Sequence, residues 1–210
     1  MARRSRLVLT LTLSVIGLGV VAASVVAVVA NQPPLARGEN GLVVPRADRG
    51  DAADIAALRA SVPAMLAVET SMGRTDVALS HESQQAQYDY AVSPEGQRER
   101  RKLLATVATP RFVASDSLEW DAGMADNRPG GTFTDWTSNR FEATRWDGVV
   151  VDGDTATVVV VGKNWFYDDD RGGWTSTPRS QDVITLVRDP SAEYGWLIDA
   201  RSSADVDSPA

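Results

Sequence analysis

The chain has no cysteine and one histidine, His81. The first absence excludes disulfides, thiolate chemistry and a lipid-modified cysteine anchor. It leaves the redox compartment undecided, because exported domains without cysteine are ordinary. The second leaves His81 as the sole imidazole, in the polar stretch Ser80-His81-Glu82-Ser83-Gln84-Gln85. General acid–base work needs a partner within hydrogen-bond reach, and neighbours on a helix do not face each other, so Glu82 is not that partner. His81 reads as a solvent-exposed helical residue. Positive charge is also scarce. Of 21 Lys and Arg, three precede residue 7, which leaves 18 against 28 Asp and Glu, a net of −10 for the rest. Such a domain is a poor partner for nucleic acid, which needs clustered positive charge. It is also repelled by anionic headgroups.

One stretch lacks charge altogether. Leu7 to Ala30 reads LVLTLTLSVIGLGVVAASVVAVVA, directly behind Arg3, Arg4 and Arg6. As a helix these residues would span about 36 Å, enough for a hydrocarbon core of roughly 30 Å. A cleavable signal usually has an apolar region of only ~7–15 residues, so length favours an uncleaved anchor over cleavage after Val28-Val29-Ala30. The arginines place the amino terminus in the cytoplasm. The resulting organisation is a cytoplasmic tail (1–6), a transmembrane helix (7–30), a linker (31–50), a domain outside the plasma membrane (51–202) and a disordered tail (203–210). The linker contains Pro33-Pro34, Gly38, Gly41, Pro45 and Gly50 and no periodic apolar face.

The domain begins with helical periodicity. Ile55, Leu58, Val62, Met65, Leu66 and Met72 recur at spacings of three and four, with Asp51 and Asp54 at the amino end. Pro63 inside this pattern either kinks the helix or starts a second one, and Gly73 is a fitting terminator. A second helical zone covers about Asp76 to Tyr90. Ser93-Pro94-Glu95 opens a third, with Leu103, Leu104 and Val107 on its apolar face, and the pattern continues past Pro110 through Phe112. The basic run Arg98-Glu99-Arg100-Arg101-Lys102 reads as a solvated face of this helix, with partner docking as the alternative.

Period two follows. Arg140–Val151 and Thr155–Tyr167 are expected strands, joined at Val151-Asp152-Gly153-Asp154, where Asp-Gly signals a tight hairpin with positive φ at both turn positions. Trp174–Arg188 and Tyr194–Arg201 are the next strands, and a shorter one is expected near Trp120 or Phe133. Helices first and an antiparallel sheet afterwards make an α+β domain.

The segments WDGVVVDGDTATVVVVG and YGWLIDA, behind helices ending in LLATVATPRF, resemble the NTF2-like (cystatin-like) superfamily. With the anchor added, the chain is similar to Mce-associated membrane proteins of actinobacteria and to bitopic scaffold proteins of type IV secretion and conjugation. The resemblance implies helices packed on a curved antiparallel sheet. It implies a non-enzymatic accessory or assembly role in a cell-envelope complex, with envelope proteins as partners and homo-oligomers open. It brings no catalytic residue. The alternative it leaves is a small-ligand binder or enzyme using the cone of the fold.

No cofactor, metal or catalytic residue is assigned. Asp168-Asp169-Asp170, with Asp152 and Asp154, offers carboxylates, but not the alternating ligands and closing glutamate of a calcium loop. All six tryptophans lie in the second half. Trp146 and Trp196 fit a sheet–helix core. Trp165, Phe166 and Tyr167 are consecutive in a strand and cannot share one face. Together with Trp174 they form the candidate partner surface, against burial as the common fate of such rings.

Overall fold

The computed structural model describes residues 35–37, 43–45, 47–71, 84–126, 138–168 and 172–206. The expected span 7–30 and His81 lie outside them. So do Met72, Gly73, Phe133, Trp136 and Asp169 to Arg171. Among the described residues no helix is long and apolar enough to cross a membrane. The chain divides after Leu35 into two units, and residues from Ala36 onward form the second.

The order is helices, then sheet, and the class is α+β. Helix α1 (Ala52–Glu69) starts on Asp51, whose carboxylate accepts from the amides of Ala53 at 2.8 Å and Asp54 at 3.3 Å. It runs unbroken through Pro63. Leu58, Val62, Met65 and Leu66 are buried along one stripe, each contributing about 1.5–3 kcal/mol on removal from water. Helix α2 (Gln84–Val92) covers the part of the second helical zone that is described, and extends it past Tyr90. Helix α3 (Pro94–Leu104) has Ser93 as its cap, the Oγ accepting from Gly96 N at 3.0 Å. Tyr90's carbonyl oxygen crosses so near Gly96 that a Cβ there would lie 2.1 Å from it.

The third helix does not continue past Pro110. It ends at Leu104, and a separate helix α4 (Pro110–Asp126) follows. Thr109 separates them: its Oγ1 accepts from Phe112 N at 3.3 Å, and Pro110 occupies the first turn, where a missing amide costs nothing. Trp120 therefore sits in α4 and not in a short strand.

The main sheet has the order β3-β4-β6-β7, all antiparallel: β3 (Ser138–Asp152), β4 (Thr155–Asp168), β6 (Ser180–Arg188) and β7 (Trp196–Asp205), with β5 (Gly173–Ser176) also on β4. Register slips at Ala143/Arg145 and Trp146/Gly148 put two bulges in β3, which bend and twist the strand. The β3–β4 loop is Gly153-Asp154. Only Gly153 has positive φ, at 58°, so the expected pair of left-handed turn residues is replaced by a loop with glycine first.

The expected strand 174–188 is two strands. Pro178 lacks an amide donor, and Thr177 fills the gap: its N donates to Asn164 O at 2.9 Å, and its Oγ1 accepts from Asn164 N at 3.1 Å. At the carboxyl end β7 continues to Asp205, so residues 203–205, expected in a disordered tail, are paired strand. The expected linker is also partly ordered. β1 (Leu35–Arg37) and β2 (Val43–Pro45) form a small separate sheet, and Arg49 pairs with Val150 on the edge of β3.

The core lies between one face of the sheet and the helices. Phe141, Val149, Ala156, Val158, Val160, Ile184, Leu186, Trp196 and Ile198 meet the buried stripe of α1, with Leu104, Val107, Ala108 and Phe112. Trp146 packs against this core. Strand period two then places Arg140, Glu142, Lys163, Trp165 and Tyr167 on the opposite face.

Candidate functional site

Two places concentrate polar chemistry. The first is a cavity of about 700 Å³ bounded by the end of α1, by α4 and by β7. Its lining includes Glu69, Arg111, Phe112, Asp116, Asp199 and Arg201. Arg201 projects from the core face of β7, opposite Ile184. Its guanidinium bonds Glu69, and its Nη2 lies 2.8 Å from Asp182, a fully buried carboxylate that Ser180 Oγ also reaches at 3.0 Å. Arg100 comes up from α3. It bonds Asp116 at 2.6 Å, donates to the Glu69 carbonyl at 3.0 Å, and stacks its guanidinium 4.0 Å over Trp120. Arg111 pairs with Asp199, which also accepts from Thr109 Oγ1 at 2.9 Å. The last carbonyls of α1 are held from outside the helix, since Asn139 Nδ2 donates to Ala67 O at 2.6 Å.

Burial pushes the Glu69 carboxyl above its ordinary value. Arg201 opposes this, while Asp116 and Asp182 add to it. A carboxyl held up in this way beside a cavity can give or accept a proton nearer neutrality. Asp116 and Asp199, the neighbouring carboxylates, are each tied to an arginine. Among the described residues no three His, Cys, Asp or Glu side chains are placed to share a metal ion.

The second place is the outer face of the β3–β4–β5 end of the sheet. Arg140 pairs in register with Trp165, and Tyr167 with Trp174. The side chains form a ladder. Lys163 Nζ lies 4.2 Å from the Trp165 ring centre, and the Arg140 guanidinium lies 5.6 Å from Trp165 and 4.7 Å from Trp174. Tyr167 meets Trp174 edge to face at 5.6 Å. Glu142 accepts from Trp165 Nε1. Trp174 is 42% exposed, a high value for a large aromatic.

The four predicted surface aromatics therefore divide. Trp165, Tyr167 and Trp174 come together on the outer face. Phe166 alternates to the helix-facing side with Asn164 and Gly162. The basic run divides too. Arg98, Arg101 and Lys102 are exposed, but Arg100 is 4% exposed and forms part of the ion-pair network. The stripe Gly96, Arg100, Leu104 at spacing four marks the buried side of α3. The cluster of Glu69, Asp182 and Arg201 has no sequence motif, because Asp182 and Arg201 meet through the β6–β7 pairing and Glu69 reaches them from the end of α1.

No family model matches the chain, and no curated protein matches it. Among solved structures, an IcmL-like type IV secretion system protein from Legionella pneumophila is similar at 11% identity, over 72% of this chain and 96% of that chain, with a TM-score of 0.42. A putative calcium/calmodulin-dependent protein kinase II association domain from Xanthomonas campestris is similar at 12% identity, over 74% and 88%, with a TM-score of 0.40. An NTF2-like superfamily protein from Salmonella enterica is similar at 12% identity, over 59% and 86%, with a TM-score of 0.35.

Proposed function

We propose that this chain is a membrane-anchored, non-enzymatic accessory or assembly subunit of a cell-envelope complex, with an NTF2-like domain outside the membrane that works by contact with other proteins. The Mce-associated membrane proteins are the specific form this reading takes. The observation that carries it is the outer-face ladder, where Trp165, Tyr167 and Trp174 stand with Arg140 and Lys163 on the side of the sheet away from the core. Trp174 is exposed while Trp165 and Tyr167 are half-buried, and Trp, Tyr and Arg are the residues that most often anchor protein contacts. The uncharged run 7–30 supports the tether.

The test is crosslinking in native membranes with a photoreactive side chain at position 174 and, as control, at position 98. Envelope proteins captured from 174 and not from 98 support the reading, and no envelope protein from either position counts against it. Sequencing the mature amino terminus checks the anchor, since a new terminus at Asn31 removes it.

The cavity favours a second reading, a small-ligand binder. It is ligand-sized and lined by convergent polar groups. A compound screen by thermal shift, repeated on Glu69→Gln, separates the two. A hit whose effect disappears in the variant supports ligand binding.

A further inference from the structure

Five largely buried charges meet at the cavity, and their signs do not balance. Glu69 on α1, Asp116 on α4 and Asp182 on β6 are the carboxylates, with side chains 11%, 14% and 0% exposed. Arg100 on α3 and Arg201 on β7 are the cations, with side chains 5% and 13% exposed. Arg201 bonds Glu69 and Asp182, and Arg100 bonds Asp116. Among the described residues no other charged side chain bonds any of the five. Three negative charges against two positive leave one unmatched, in a place where an unmatched charge is costly. Arg111 and Asp199, also in the lining, pair with each other and cancel.

The free valence of this network faces the cavity. Glu69 and Asp116 line it, while Asp182 is fully buried. Arg201 takes only Oε2 of Glu69, and Arg100 takes only Oδ2 of Asp116. Among the described residues Oε1 of Glu69 and Oδ1 of Asp116 accept no hydrogen bond. The two carboxylates are close enough for Asp116 to push the Glu69 carboxyl upward. Their surroundings do not suit a metal ion. Hard cations take six or more oxygens, and among the described residues no three acidic or histidine side chains are placed to share one. A primary ammonium carries a single charge and three donors. Two donors match the two open carboxylate oxygens, and the hydroxyl of Ser115 or Ser203 in the lining is available to the third.

We propose that the cavity binds a small organic molecule bearing one primary ammonium group, which sits between Glu69 and Asp116 and supplies the charge the network lacks, with its carbon skeleton against Phe112. This rests on the reading of the cavity as a ligand site and names the chemistry of the ligand. A proton on Glu69 is the competing occupant. Burial raises that carboxyl, Arg201 opposes, and Asp116 and Asp182 add to the rise. Arg100 faces it from α3 through the Glu69 carbonyl. The ammonium needs the ionised carboxylate, so its binding expels a proton, and its affinity falls as pH drops through the folded value of Glu69.

The test is isothermal titration calorimetry of the detergent-solubilised full chain with n-butylamine, repeated with tetramethylammonium, which has the charge but no N–H donor. Glu69→Gln leaves two carboxylates to two arginines, so it should melt no lower than the parent near about pH 8. Asp116→Asn leaves the same count and takes its place if Glu69→Gln does not fold. Glu95→Gln removes one negative charge from the exposed start of α3. The expected result is saturable n-butylamine binding whose heat varies with the ionisation enthalpy of the buffer. Loss of a charge-assisted hydrogen bond makes it roughly tenfold or more weaker in Glu69→Gln, and Glu95→Gln leaves it unchanged. Tetramethylammonium should bind roughly tenfold or more weakly for the same reason. No saturable binding of n-butylamine, equal binding of the two cations, or equal binding by Glu69→Gln and the parent overturns the proposal. Compounds without an amine that bind in a Glu69-dependent manner, alongside any of these failures, would leave the ligand reading standing and remove only the ammonium assignment.

Discussion

Replacing Arg201 by methionine keeps most of the side chain's length and removes the guanidinium that bonds Glu69 and Asp182 together. Asp182 is fully buried, and the Glu69 side chain is 11% exposed. Two carboxylates then lose their counter-charge in a region water scarcely reaches. Removing one partner of a buried pair costs about 3–5 kcal/mol, chiefly through the charge left behind. For a domain of this size each kcal/mol lowers Tm by roughly 2–4 °C, so the expected fall is about 6–20 °C. The loss also depends on pH. Burial holds the Glu69 carboxyl above its ordinary 4.5, with Arg201 opposing. A raised carboxyl contributes stability that is complete below its unfolded value and is lost as pH rises through the folded value. Without Arg201 the folded value climbs further, and protonation relieves the unpaired charge. The gap between variant and parent, followed by circular dichroism melts, is therefore smaller near about pH 5 than near about pH 8. Arg201→Met/Glu69→Gln/Asp182→Asn should recover much of the loss, because neutral amides tolerate the site better than lone carboxylates. A fall of under about 1 kcal/mol, or one that is the same at both pH values, would refute the account of Arg201 as a charge clamp.

Gly96→Ala places a Cβ 2.1 Å from the Tyr90 carbonyl oxygen, so urea unfolding should show a loss of about 1–3 kcal/mol despite alanine's better helix propensity. Asp51→Ala removes the cap of α1 and should cost about 1 kcal/mol, while Asp51→Ser keeps most of it. Asp54 is held below its ordinary value by its hydrogen bond from Arg188, with desolvation opposing and the Arg188 charge adding to the shift. Its contribution is present above the unfolded value of 3.8 and fades as pH falls through the lower folded one. Asp54→Asn should therefore lower Tm at neutral pH and approach the parent in acid, and a difference that persists in strong acid would contradict this.

The parts legible from sequence are those set by local chemistry. Asp51 and Ser93 cap helices because their oxygens reach nearby amides, and that relation spans only three residues. The long β3–β4 hairpin follows from period two and one glycine. What was not legible depends on distant partners. Nothing near Thr109 shows that Ala108 will pair with Ile198 across the fold, so the break between α3 and α4 is hidden behind a continuous apolar pattern. Pro178 was readable as a strand breaker, but the rescue of its gap by Thr177 required knowing that Asn164 stands opposite. Arg100 lies in a basic run whose charges mostly point outward once Leu103 and Leu104 set the buried face, so the run reads as solvated. The burial of Arg100 depends on Asp116, sixteen residues away, and on the end of α1.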